Sequence, residues 1–219
     1  MVHDFQADID AIENIDAVPT ILDVVCRTTG MGFAAVARVT ESRWITCKVL
    51  DTINFGLVAG DELKVRSTIC NEIRQSREAV VIDHVAEDEA YHDHPTPAMY
   101  GFQSYISMPI IRSDGIFFGT LCAIDPRPAR LKNPGTIGMF KLFAELIAAH
   151  LQAAEQLRAA KTELAKERER SELRDQFIAV LGHDLRNPVA SIDSGTKLLL
   201  RSPLEDKSRQ IIKLMQGSV

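Results

Sequence analysis

Along the first 135 residues the apolar positions come in short runs broken by Gly, Pro and Asp. Beyond about Pro134 they fall at helical spacing without a breaker until Pro188. That change of rhythm divides the chain into two unlike parts. In the first part, Ile9, Ile12, Leu22, Val25 and Cys26 predict a helix over 5–30 interrupted at Pro19. Residues 33–39 and 44–50 predict strands. Residues 67–74 predict a short amphipathic helix with Ser or Thr as its N-cap. A brief strand at 79–82 ends at Asp83, and 87–101, with His92, His94, Pro95 and Pro97, reads as a loop. Residues 104–111 and 116–124 predict a hairpin turning at Ser113-Asp114-Gly115, because Asp-Gly is a strong turn signal. This order predicts an α+β domain, an antiparallel sheet with flanking helices.

The second part reads as helix throughout. Phe143, Ile147, His150, Ala154, Leu157, Lys161 and Leu164 recur in alternating steps of four and three, a heptad seam suited to a two-stranded coiled coil. Residues 153–175 hold six basic and six acidic side chains, and Glu163/Lys166 and Glu167/Arg170 sit at neighbour spacing. A single solvated helix fits the same charges. Past Leu164 the seam would pass through Arg168 and Ser171. The apolar residues resume instead at Leu173, Phe177, Val180 and Leu181, out of phase, like a stutter where a register switch could act. A helix over 171–200 is predicted, broken at Arg201-Ser202-Pro203, with a second over 204–217. Two helices joined by a short turn form an antiparallel hairpin, and two hairpins make a four-helix bundle. The predicted divisions are 1–135, the α+β domain; 136–172, a coiled-coil helix; and 173–219, the helical hairpin.

Composition narrows the possibilities. The chain has 219 residues, 46% hydrophobic and 25% charged, with net charge -5. That balance argues against a nucleic-acid partner. No apolar run is expected to reach the length of a membrane span, and the acidic N-terminus lacks a signal-peptide core. Cys26, Cys47, Cys70 and Cys122 are scattered with no CxxC pair, as expected of reduced, buried thiols in a cytoplasmic protein.

The chemistry concentrates in His183-Asp184-Leu185-Arg186-Asn187-Pro188. This stretch resembles the phosphoacceptor box of sensor histidine kinases, in their dimerisation and histidine-phosphotransfer domain. The resemblance implies that His183 accepts the γ-phosphoryl of ATP through one ring nitrogen. It implies that Asp184 holds the other ring nitrogen, orienting the imidazole, and that Asn187 positions water for dephosphorylating a partner response regulator. Arg186 would contact phosphate or a nearby acid. Neighbouring helix residues do not face one another, so Asp184 must curl back or act from a kink at Pro188. Pro188 removes the amide that would bond the carbonyl of Asp184.

A second resemblance lies upstream. The stretch from Met108 to Pro128, with its Ser113-Asp114-Gly115 turn and its Gly119-Thr120-Leu121-Cys122-Ala123-Ile124-Asp125 strand, looks like the end of a GAF domain. The Ile69-Cys70 helix and the 80–88 segment match that family's order, and the resemblance covers 5–152. It implies fold more than function. Histidine kinases carry a separate ATP-binding domain, whose glycine-rich boxes have no counterpart here: no GxGxxG or GxxxxGK occurs in the 219 residues. ATP is therefore expected to act only through a catalytic domain outside this chain, in a longer kinase or in trans.

The signal is not written in the sequence. No cysteine precedes a histidine as a bilin carrier's would. His84, His92 and His94 with Asp83, Asp88 and Asp93 suit either a metal or haem site or a polar loop, and no metal is expected. Cyclic-nucleotide binding finds no residue set that demands it, so the ligand stays unknown. Cys70 and Cys122 suit either a redox sensor or buried packing. The readings carried forward are a homodimeric sensor and phosphoacceptor acting on a response regulator, a non-enzymatic ligand-binding dimer, and a phosphotransfer relay.

Overall fold

The structure, a computed structural model, describes residues 3–201, 203 and 205–217; for Ser67, His183 and Asp184 it describes the backbone alone. It divides into two compact units, Met1–Leu157 and Arg158–Val219.

In the first unit, strands β1 (Phe33–Val39), β2 (Arg43–Asp51), β3 (Glu62–Lys64), β4 (Val80–Ile82), β5 (Ser104–Ile111) and β6 (Phe117–Asp125) form one sheet in the order β3-β2-β1-β6-β5-β4. Every neighbouring pair is antiparallel, as the α+β reading requires. The short strand β3 escaped the sequence reading, because three residues are too few to show alternation. Helices α1 (Gln6–Glu13), α2 (Ala17–Thr29) and the first part of α5 (Pro134–Leu200) bury Ile12, Val18, Leu22, Phe140 and Ile147 against one sheet face, with Val36, Ile45, Ile106 and Leu121. Helix α3 (Ile69–Ser76) covers the other face, where Ile69, Cys70 and Ile73 meet Phe33, Ala35, Tyr105 and Cys122. Strands β1 and β6 lie at the centre, and β6 is buried along its whole length. Their packing leaves no room for a side chain at Gly119, whose added Cβ would stand 1.8 Å from the carbonyl oxygen of Ala37.

Several local expectations need correction. The break in the N-terminal helix falls between Glu13 and Ala17, not at Pro19. Pro19 sits in the first turn of α2, where its missing N–H has no intrahelical partner to lose. Thr68 does precede α3, but its hydroxyl donates back to the Val65 carbonyl at 2.8 Å and makes no cap bond. The loop expected at 87–101 contains a helix, α4 (Pro95–Tyr100), with proline at its start.

Asn133 caps α5, accepting the Thr136 amide at 2.8 Å, with Pro134 at the first helical position. The helices read separately from 136 and from 171 are one. No Gly or Pro interrupts residues 139–181, and strong helix formers fill the charged stretch. The heptad seam divides in character. Ile147 is buried and Phe143 partly buried in the sheet domain's core, whereas Leu157 and Leu164 are exposed. Contrary to the sequence expectation, α5 is long and apolar enough to cross a membrane by length and composition. Much of that apolarity is the stripe of Phe140, Ala144, Ile147, Ala148 and Leu151, which packs on the sheet.

In the second unit, α5 continues to Leu200, and α6 (Asp206–Gln216) follows. Thr196 and Ile212 are buried. Leu173, Phe177, Val180, Leu185 and Met215 are exposed.

Candidate functional site

Two places carry chemistry, one in each unit. The first is a cavity of about 40 Å³ on the α3 side of the sheet, with apolar walls that include Phe33, Trp44, Ile69, Phe102 and Ile124. A water needs about 10–15 Å³ of such space, so the cavity admits a few atoms and no more. Phe55, Leu57, Leu63 and Tyr100 separate it from a more open cleft of about 490 Å³. Asp51 holds that wall in place by accepting the amides of Ile53 at 3.1 Å and Gly56 at 2.9 Å. Burial pushes the Asp51 carboxyl up, but these backbone bonds outweigh it and leave the group below its ordinary value. Phe55 then packs on Phe33, ring centroids 4.8 Å apart.

Both Cys70 and Cys122 line the cavity. The Cys70 sulfur lies 3.3 Å from the Tyr105 hydroxyl, accepts from the Thr120 hydroxyl at 3.4 Å and stands 4.0 Å from Ser107 Oγ. Tyr105 and Ser107 are two apart on β5, Thr120 and Cys122 two apart on β6, so all four face α3. Of the two thiols Cys70 is the easier to ionise. Hydrogen bonding with Cys122 is the largest influence, burial opposes it, and the Thr120 and Tyr105 hydroxyls assist. The same contact and burial push Cys122 up. The other cysteines differ. Burial and the carboxylates of Asp23 and Asp125 push Cys26 up to about 11, and burial pushes Cys47 up to about 12. Sequence reasoning had the two thiols but not their hydroxyl neighbours. Alternation along β5 and β6 was the signal that could have placed them.

The loop histidines go to separate partners. His84 pairs with Glu87 at 3.1 Å and His92 with Asp93 at 3.1 Å. His94 Nδ1 accepts the Thr96 amide at 3.2 Å and so caps α4, while its Nε2 lies 2.9 Å from Glu72 Oε1 on α3. The Tyr91 hydroxyl donates to Glu72 Oε2 at 3.3 Å. Burial, then the Glu72 charge, pushes Tyr91 up to about 12. Asp83 serves the backbone, accepting the amides of Leu131 and Lys132, and Asp88 pairs with Lys132 at 2.8 Å. Among the described residues no three His, Cys, Asp or Glu side chains converge on a common point.

The second place is the His183–Pro188 stretch within α5. His183 and Asp184 have helical backbones; their side chains lie outside the described ones, and with them the expected contact between Asp184 and the imidazole. Arg186 and Asn187 are exposed. The helix continues through Pro188, with the Ser191 hydroxyl donating to the Asn187 carbonyl at 2.9 Å. Pro188 has no N–H to offer the carbonyl of Asp184, so one rung of the helix is missing beside the box. Exposure on a helix leaves Arg186 and Asn187 reachable by a partner protein.

Comparison with known proteins agrees with both halves. The family model for the GAF domain matches residues 13–151, and that for the His Kinase A (phospho-acceptor) domain matches 173–219. No curated protein matches the chain. Among solved structures, the GAF domain from an Acinetobacter phosphoenolpyruvate-protein phosphotransferase superposes with TM-score 0.52 at 10% identity, over 71% of this chain and 94% of that one. A bacteriophytochrome from R. palustris gives TM-score 0.52 at 13% identity, over 73% and 40%. The free methionine-R-sulfoxide reductase from Neisseria meningitidis, solved with its substrate, gives 0.51 at 16%, over 68% and 82%. At such identities the likeness is one of fold.

Proposed function

The chain belongs to the GAF-domain family and carries a His Kinase A phospho-acceptor domain behind it, and from that premise we propose that it is the sensor and phosphoacceptor portion of a cytoplasmic two-component sensor histidine kinase. The observation that carries the reading is the phospho-acceptor match over 173–219, which contains the whole His183–Pro188 box. Residues 1–135 sense, 136–172 form the signalling helix, and 173–219 form the hairpin that pairs with a second copy. The exposed apolar residues Leu173, Phe177, Val180 and Leu185 supply the surface such pairing needs.

A neutral imidazole is a competent nucleophile, and its ordinary pKa of about 6.5 keeps it mostly neutral at pH 7. His183 attacks the γ-phosphorus of ATP held by a catalytic domain, and ADP leaves. Asp184 accepts a hydrogen bond from the other ring nitrogen and stabilises the positive charge that develops on the ring. The phosphoryl group then passes to an aspartate of a response regulator, and Asn187 positions water for the reverse, hydrolytic reaction.

The test is to mix the chain with ATP and a matching histidine-kinase catalytic domain and to measure acid-labile phosphate. Labelling is expected in the native chain and absent in His183→Gln. Undiminished labelling in that variant overturns the assignment.

A further inference from the structure

Cys70 and Cys122 are set in surroundings that ordinary packing does not explain. A buried thiol that only fills space needs apolar neighbours and at most one weak hydrogen bond. Cys70 has instead the hydroxyls of Tyr105, Thr120 and Ser107 within 4.0 Å, and both Cys70 and Cys122 line a cavity walled mainly by aromatic and aliphatic side chains. Hydroxyls able to donate to one sulfur stabilise its thiolate, which is the reactive form. Cys70 also sits in the first turn of α3, the end of a helix that favours negative charge.

We propose that Cys70 and Cys122 form a peroxide-reactive dithiol, in which hydrogen peroxide entering the cavity oxidises Cys70 and Cys122 closes the disulfide. The Cys70 thiolate attacks one oxygen of the peroxide. The O–O bond breaks, and the other oxygen leaves with the electron pair and takes up a proton as water, leaving Cys70 as a sulfenic acid. The Cys122 sulfur then attacks the Cys70 sulfur. The S–O bond breaks, and the departing hydroxide takes the Cys122 proton as a second water. Two thiols and one hydrogen peroxide give one disulfide and two waters. Each sulfur loses one electron, and each peroxide oxygen gains one.

The cavity sets the choice of oxidant. Its volume of about 40 Å³ takes a molecule of two oxygens but not an aryl hydroperoxide. Ease of ionisation, rather than exposure, sets the choice of thiol. Cys26 is the more accessible, but partial burial, and then the Asp23 and Asp125 carboxylates, hold it as the unreactive thiol at neutral pH. This chemistry stands apart from the phosphoacceptor reading: thiol mapping reports on one, acid-labile phosphate on the other.

The experiment treats the full chain with hydrogen peroxide or cumene hydroperoxide, then alkylates and maps all four cysteines by mass spectrometry. The expected result with hydrogen peroxide is a Cys70–Cys122 disulfide, reversed by dithiothreitol, formed at least about tenfold faster than any oxidation of Cys26. Cumene hydroperoxide is expected to react far more slowly. In Cys122→Ser, dimedone is expected to trap a sulfenic acid on Cys70. Oxidation of Cys26 ahead of a still-reduced Cys70 and Cys122 overturns the proposal in the native chain alone, whatever the variants do. Equal reaction with both peroxides overturns the selection by cavity size.

Discussion

Gln152 on α5 accepts hydrogen bonds from both the backbone amide and the hydroxyl of Ser113, at the turn between β5 and β6. Beside it, Arg112 pairs with Glu155 and with Asp114. The same two strands carry Tyr105 and Cys122, which line the cavity, and Ser107 and Thr120, whose hydroxyls approach the Cys70 sulfur. The hairpin thus has the cavity's polar groups along its length and a grip on α5 at its turn. Gln152→Ala is expected to raise hydrogen exchange in α5 around 148–156 about fivefold, the equivalent of about 1 kcal/mol of local stability. Unchanged exchange there would show that the turn does not hold the helix.

Under the proposed mechanism, Asp184→Asn is expected to lower phosphoryl labelling of His183 by about 10²–10⁴-fold, because the ring would lose the group assigned to orient it and balance its charge. Asn187→Ala is expected to keep labelling and to slow dephosphorylation of the response regulator by about ten- to a hundredfold, the worth of one hydrogen bond to a reacting water. Single-turnover labelling and receiver dephosphorylation measure the two separately.

Pro188→Ala supplies the amide that the carbonyl of Asp184 lacks. Proline in a helix interior costs about 3 kcal/mol, so the variant's second unit is expected to unfold later on heating. If Pro188 also provides freedom to bend during transfer, labelling falls while stability rises. Calorimetry alongside the labelling assay separates these effects.

Gly119→Ala is expected to destabilise the sheet domain by about 3 kcal/mol or more, since the methyl would overlap the Ala37 carbonyl and neither central strand can retreat. Chemical denaturation reads this directly.

Asp125, buried at the end of β6, accepts the Gly32 amide at 2.8 Å and the Arg127 side chain at 2.9 Å. Burial pushes its carboxyl up, but the Arg127 and Gly32 bonds outweigh it, and the group stays below its ordinary 3.8. A depressed folded-state pKa gives stability that is complete above the unfolded value and disappears as pH falls below it. The native domain should therefore lose stability below about pH 4 more steeply than Asp125→Asn, which should be weaker by about 1–3 kcal/mol at neutral pH. Parallel slopes in denaturation across that range would refute the role.

Strong local signals carried the sequence reading furthest. The hairpin was legible because Asp114-Gly115 and two alternating runs state it locally, and the phosphoacceptor box because six consecutive residues carry it. The cavity was not, because its polar groups come from α3, β5 and β6 and meet only through tertiary packing. Helix α4 was hidden by its own prolines, which read as loop until His94 is seen to cap them. The extent of α5 was missed for the opposite reason: a change of apolar phase near Leu164 looks like a boundary, yet nothing in the backbone chemistry there stops a helix.

Phe140, Ala144, Ile147 and Leu151 set a limit on how α5 can convey a signal. Turning the helix by one residue position would lift that stripe off the sheet and press Lys141 and Glu145 toward it. Exposing each large side chain costs about 1.5–3 kcal/mol, and three of them together approach the entire stability of a domain. A rotary switch at this end of α5 is therefore closed to the protein in its folded state. Displacement along the helix axis, or a rotation much smaller than one residue, is what the interlocked surfaces permit.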